Sequence, residues 1–208
     1  MTFEEKLEKA KIAEQNKKRF LEIFREKIHR EGADKLLEYL EKTDFFSAPA
    51  STRYHGAYYG GLLEHSLNVY DCLADLCARA KERYGLEYSD ETIAIVGLFH
   101  DICKIDFYKE TFRNKKNETT GMWEKEITYN IEDSLPYGHG EKSVYMISGY
   151  LRLSREEAFA IRYHMGFSGS PDDKQNVSRT MELFPLALFT SFADSEAAFI
   201  IESRNEAK

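Results

Sequence analysis

Six side chains in this sequence are of the types that do acid–base or metal chemistry and lie on apolar helix faces or at helix ends: His65, His100, Asp101, His139, His164 and Asp194. His100 and Asp101 fall near the end of ETIAIVGLFHDICK, residues 91–104, where Ile93, Ala94, Ile95, Val96, Leu98 and Phe99 make a helix apolar on every side. Ser89 and Asp90 offer N-cap oxygens, and Glu91 adds negative charge to the first turn. An aspartate on so apolar a helix forfeits roughly several kcal/mol of hydration unless it is paired, hydrogen-bonded or bound to a cation. A capping carboxylate beside a core histidine would satisfy an isolated His-Asp pair, so partners elsewhere in the chain decide the matter.

Such partners exist. Gly60 and Gly61 open a helix whose seam runs Leu62, His65, Val69, Leu73 and Leu76, so His65 faces the core, and two facing helices can bring both imidazoles to one ion. His139 sits between glycines in PYGHG, and His164 ends SREEAFAIRYHMG, a helix opened by a Ser154–Glu157 capping box and stopped by Gly166. Each of these two alone suits a plain turn or a favourable helix-end charge equally well. Asp194 is the one acid among residues 184–195, on a face of small residues (Ala187, Thr190, Ser191, Ala198) in the helix begun by Pro185. Imidazole and carboxylate in this ratio suit a divalent first-row metal such as Mn, Fe, Co, Ni or Zn, with coordination positions left for water.

The elements that must position these groups are mostly helical. With 208 residues, 42% hydrophobic and 13% aromatic, the chain has the composition of one well-buried domain. Residues 1–45 read as N-terminal helices packed on a bundle formed by residues 46–203, in a single structural unit. The first helix spans 3–31, from a Thr2–Glu5 capping box to Gly32, with Phe3, Leu7, Phe20, Phe24 and Ile28 as its stripe, a solvated middle and His29 at the surface. It covers the bundle or mediates a homodimer. Ala33–Lys42 forms a second helix. Alternation within residues 106–135 predicts a β-hairpin insertion with a turn at Asn117–Gly121, suited to a wall or lid, with Trp123 packing it down in preference to stacking on a substrate. Residues 166–180 read as a Gly/Ser/Asp loop.

Composition also excludes. A net charge of −7 and a pI of about 5.5 argue against a broad nucleic-acid footprint. No run of about 18 apolar residues and no signal peptide is present, which predicts a cytoplasmic protein without a membrane partner. Cys72, Cys77 and Cys103 are too few and too oddly spaced for a disulfide framework or a zinc site and read as buried free thiols.

HGAYYGGLLEHS at residues 55–66, LFHDICK at 98–104 and the late Asp194 together resemble the HD-domain metal-dependent phosphohydrolases. The resemblance is to bacterial and phage HD proteins whose first motif reads HxxYxGGLLEH, shared with YhaM-type 3′-to-5′ exoribonucleases, and covers residues 50–200. It implies a bundle of about five core helices with metal held between them, here with a small hairpin insertion. It makes His65, His100, Asp101 and Asp194 ligands of a first ion and His139 and His164 ligands of a second, with Asp101 bridging. The implied cofactor is a divalent metal (Mn, Fe, Ni, Co, Mg or Zn), two per chain, activating a hydroxide that attacks phosphorus, with Asp101 and Lys104 as catalytic residues. Arg53, His55, Lys104 and Arg162, with Arg113 and Lys115 behind them, become candidates for holding a small phosphorylated substrate, a nucleotide or short oligonucleotide. Cys103 stands where a glycine is common after the HD pair. Two other classes share the scaffold: HD-type di-iron oxygenases, which would be coloured and consume oxygen, and non-catalytic metal or nucleotide sensors.

Overall fold

A computed structural model of the chain describes residues 3–116, 121–169 and 173–203. Thr2 of the expected capping box, the side chains of Phe3 and Leu7 and the turn residues 117–120 lie outside that description. In order, the elements are α1 (Phe3–Lys27), α2 (Ala33–Lys42), α3 (Gly61–Tyr84), α4 (Asp90–Phe99), β1 (Tyr108–Lys116), β2 (Trp123–Ile131), α5 (His139–Ser148), α6 (Arg155–Arg162), α7 (Lys174–Leu183) and α8 (Pro185–Glu196). The chain is thus mostly α with one antiparallel hairpin, as the sequence predicts. No single helix among the described residues is long and apolar enough to cross a membrane.

Helix α3 is the axle: α4 and α8 pack along it, α1 crosses it, and α6 closes the far side against α8 and α4. Its seam residues Leu62, His65, Val69, Leu73 and Leu76 are all buried, so the 3.6-residue period does place His65 inside. From α1, Phe20 and Phe24 set their rings edge-on to Phe99 at 6.1 and 6.2 Å. The C-terminal half of α1 therefore covers the bundle, while its middle stays largely exposed. All three cysteines are buried free thiols.

Four local readings change. Helix α1 stops at Lys27 rather than running to residue 31, because His29 N–H donates to Glu91 Oε1 (2.8 Å) and the Arg30 guanidinium reaches Glu157 (2.7 Å). These partners on α4 and α6 replace helical continuation, and Gly32 opens α2 instead of closing α1. Helix α4 ends at Phe99. His100 and Asp101 follow in a turn, and Ile102–Lys104 tightens to a 3₁₀ turn in which Lys104 N–H donates to Asp101 C=O (3.0 Å). The expected loop over 166–180 holds a 3₁₀ turn at Gly166–Ser168 and most of α7, whose burial rests on Val177 and Thr180 alone, too short an apolar pattern to read as helix. Trp123 does not pack the hairpin down: it is 70% exposed, at the outer end of the ladder where it pairs with Lys116.

One contact sets how closely the site helices approach. A Cβ on Gly97 would lie 2.7 Å from Tyr70 Cα, so α3 and α4 touch backbone to backbone there. In an open helix Gly→Ala gains up to about 1 kcal/mol. Here overpacking against backbone wins, and Gly97→Ala should cost roughly 1–3 kcal/mol, read as a lower melting temperature by calorimetry.

Candidate metal centre

His65 on α3, His100 and Asp101 after α4, His139 at the first turn of α5, His164 just past α6 and Asp194 on α8 converge on one buried spot. His65 Nε2 lies 3.2 Å from His100 Nε2 and 3.1 Å from Asp194 Oδ1, and both imidazole nitrogens lie 3.6 Å from Asp101 Oδ2. Around an ion with bonds of about 2.1 Å, neighbouring donors sit roughly 3.0–3.5 Å apart. Asp101 Oδ1 faces the other way, 2.8 Å from His139 Nε2 and 3.4 Å from His164 Nε2. The six side chains thus form two groups that share the Asp101 carboxylate.

All four histidines present Nε2 to the centre, and their Nδ1 atoms explain why. His100 Nδ1–H donates to Gly97 C=O (2.9 Å), His164 Nδ1–H to Ile161 C=O (2.7 Å) and His65 Nδ1–H to Glu202 Oε1 (3.0 Å). A carbonyl can only accept, so in the neutral form of either His100 or His164 the proton sits on Nδ1 and Nε2 keeps its lone pair. His139 Nδ1 is 3.3 Å from Cys103 Sγ. The first three rings are buried to within 1% exposure, while the His139 side chain, 37% exposed, forms the mouth.

The electrostatics divide the rings. Burial drives His100 down to about 3, which the nearby carboxylates soften without reversing, so it is neutral at physiological pH. Burial would lower His65 too, but Asp194 and Glu202 at its two nitrogens outweigh that and raise it to about 10. Burial opposes charge on Asp101, yet Lys104, His100 and His139 hold its carboxyl well below the usual range. Lys104, itself buried, bonds Asp101 Oδ2 and stays protonated.

Among the described residues four buried side-chain atoms make no hydrogen bond, Ser66 Oγ, Glu202 Oε2, Asp101 Oδ1 and His164 Nε2; the last two face each other at 3.4 Å, and His139 Nε2 meets Asp101 Oδ1 as an ion pair rather than a hydrogen bond. Leaving such polar atoms unpaired costs roughly 1–3 kcal/mol each, and a cation between Asp101 Oδ1 and His164 Nε2 would remove both their costs. The donor set therefore fits a divalent ion, and subsets of these residues form three-donor groups of metal-site dimensions.

The substrate candidates are spread more widely. His55 stacks near His65, ring centres 5.0 Å apart, and Arg53 is exposed on the same loop. Arg162 turns aside to pair with Glu141 and, at 3.8 Å, Asp173. Arg113 is exposed on β1, and the Lys115 side chain lies outside the described residues. Sequence reasoning missed Glu202, which is 3% exposed, holds His65 and accepts a second bond from Asn68 Nδ2 (3.0 Å). Its one signal is an acid closing the apolar run AAFII. Past α8 the chain widens into a π-helical turn, Ala197–Glu202, and this brings Glu202 under His65.

The family model of the HD domain matches residues 62–198, a span holding every one of the six converging side chains. The chain belongs to the HD-domain family. A stretch of 57 residues is 39% identical to the dihydroneopterin 2′,3′-cyclic phosphate phosphodiesterase of Methanocaldococcus jannaschii, covering 27% of this chain and 23% of that relative. No solved structure matches the chain.

Proposed function

We propose that the chain is a divalent-metal-dependent phosphohydrolase acting on a nucleotide or other phosphodiester. The observation that carries the reading is the set of four Nε2 atoms, each with its Nδ1 occupied, gathered around the two oxygens of the buried Asp101 carboxylate. His65, His100, Asp101 and Asp194 would hold one ion, and His139, His164 and Asp101 a second. Ions there would bring the pKa of a water towards neutrality and polarise a phosphoryl oxygen. The similarity to a relative named as a cyclic-phosphate phosphodiesterase favours a diester over a monoester.

The remaining roles belong to the chain's own residues. Lys104, charged and fixed on Asp101, keeps that carboxylate ionised and sets a cation beside the phosphate. His139 forms the rim through which substrate enters. His55 lies where it could donate to the leaving oxygen, and Arg53 beside it could hold substrate phosphate. Arg162, tied to Glu141, would reach substrate only by breaking that pair. Burial around His100, His164 and Asp101 keeps bulk water from screening the site.

The test is elemental analysis of protein purified without chelator, followed by anaerobic hydrolysis of bis(p-nitrophenyl) phosphate and nucleotides with Mn. Two ions per chain and oxygen-independent hydrolysis would support the proposal. Bound iron with oxygen uptake and no hydrolysis would point instead to oxygenase chemistry, and no metal uptake at all would overturn it. Glu202→Gln keeps the shape but removes the charge that orients His65, and should weaken metal affinity by roughly 10–100-fold, measured by calorimetric titration.

A further inference from the structure

The hairpin packs on no other element strongly, yet one of its faces is aromatic. The register pairs Tyr108 with Ile131, Tyr129 with Glu110, Phe112 with Ile127 and Lys116 with Trp123, so these pairs share one face. Phe112 is 60% and Trp123 70% exposed. A two-stranded ribbon is marginal by itself, and a contiguous exposed apolar strip marks a binding surface.

The root and the charge of this face indicate what it binds. Tyr108 donates its hydroxyl to Ala50 C=O (3.3 Å), and it opens β1 four residues past the buried Lys104 that pairs with Asp101. The face thus begins at the rim of the metal centre and runs outward for roughly 26 Å at the usual strand rise. Lys116 and Lys125 stand on the same face near its outer end. On this face the two lysines stand against one acid, Glu110, in a chain whose net charge is −7. Aromatic rings interleaved with the two lysines match the bases and phosphates of a single strand over this one locally basic face.

We propose that this hairpin face is a stacking surface for the bases of a single-stranded oligonucleotide whose phosphodiester enters the metal centre. The proposal rests on the phosphohydrolase reading and narrows it from nucleotides in general to short strands. Tyr108 and Tyr129 take the bases nearest the centre, Phe112 and Trp123 those further out, and Lys116 and Lys125 meet the phosphates between them.

Trp123 is the only tryptophan in the chain, so intrinsic fluorescence reports on the tip alone. The full chain, in EDTA to prevent turnover, is titrated with a six-nucleotide oligoadenylate and separately with AMP. The expected result is saturable quenching by the hexamer at concentrations where AMP has no effect, with Phe112→Ala weakening the hexamer about tenfold, the size of one base-stacking contact. Absent quenching, or equal quenching by AMP, would overturn the stacking surface. So would a Trp123 blue shift on concentrating the protein alone with a doubled mass by light scattering, which would give the face to a second copy. Hydrolysis of bis(p-nitrophenyl) phosphate by the same protein, freed of EDTA and supplied with Mn, separates the two readings. Hydrolysis without quenching removes the hairpin role alone, and quenching without hydrolysis upholds the surface while removing the phosphohydrolase.

Discussion

Asp101→Ala should strip both ions from the centre and lower phosphodiester hydrolysis by roughly a thousandfold or more. Asp101 is the one side chain that faces both donor groups, Oδ2 towards His65 and His100 and Oδ1 towards His139 and His164. Its loss would therefore remove a ligand from each of the two proposed ions at once. Metal stabilisation of developing phosphoryl charge is worth several kcal/mol, and about 4 kcal/mol corresponds to the thousandfold quoted. The substitution also leaves Lys104 buried without its carboxylate, so instability must be separated from lost chemistry. A second protein, Asp101→Ala with Lys104→Met, removes the stranded charge. It should regain thermal stability and regain no activity. Metal content and hydrolysis retained near the native level in either protein would sink the assignment.

The largest effect on stability should come from Glu157, far from any phosphate. Its carboxylate is 1% exposed and takes Arg30 Nη1 at 2.7 Å and Nη2 at 2.9 Å, Thr92 Oγ1 at 2.8 Å and the Ser154 N–H at 2.7 Å. Arg30 lies between α1 and α2, Thr92 on α4 and Glu157 on α6, so one buried carboxylate joins three parts of the bundle and completes the α6 capping box. Removing one partner of such a pair leaves the other uncompensated, at roughly 3–5 kcal/mol. For a chain of this size, Glu157→Ala should then lower the melting temperature by roughly 10 °C. Burial opposes the charge on Glu157, but Arg30, Ser154 and Thr92 lower its pKa below the ordinary 4.5. Stability from a depressed carboxylate is present above the unfolded-state value and lost as pH falls through the folded one. The wild type should therefore lose stability below about pH 4.5 more steeply than Glu157→Gln. Parallel pH profiles for the two proteins would show that the network contributes little.

What sequence could reveal followed from how local each signal is. His65 was legible because a helical seam needs only neighbouring residues, and Ser154 with Glu157 because a capping box spans three positions. The end of α4 at Phe99 was not, because ETIAIVGLFHDICK is equally apolar on both sides of the break and only tertiary contacts tighten it into a 3₁₀ turn. Neither was the stop at Lys27, fixed by Glu91 and Glu157, more than sixty residues away. Glu202 was hidden by backbone rather than by distance: the wide turn before it breaks the 3.6-residue period that would relate it to Asp194. Trp123 was misread for the converse reason, since alternation reveals which residues share a hairpin face but not whether anything covers it.

The π-helical turn Ala197–Glu202 ties a stretch of backbone to what occupies the centre, because it carries the acceptor that holds His65 in place. On the proposed metal reading, an ion on His65 Nε2 and a closed turn favour one another, by the same factor in both directions. The amides of residues 197–202 should therefore exchange with deuterium sooner in metal-free than in loaded protein. Local opening of the backbone would in this way distinguish loaded from empty molecules without touching the centre itself.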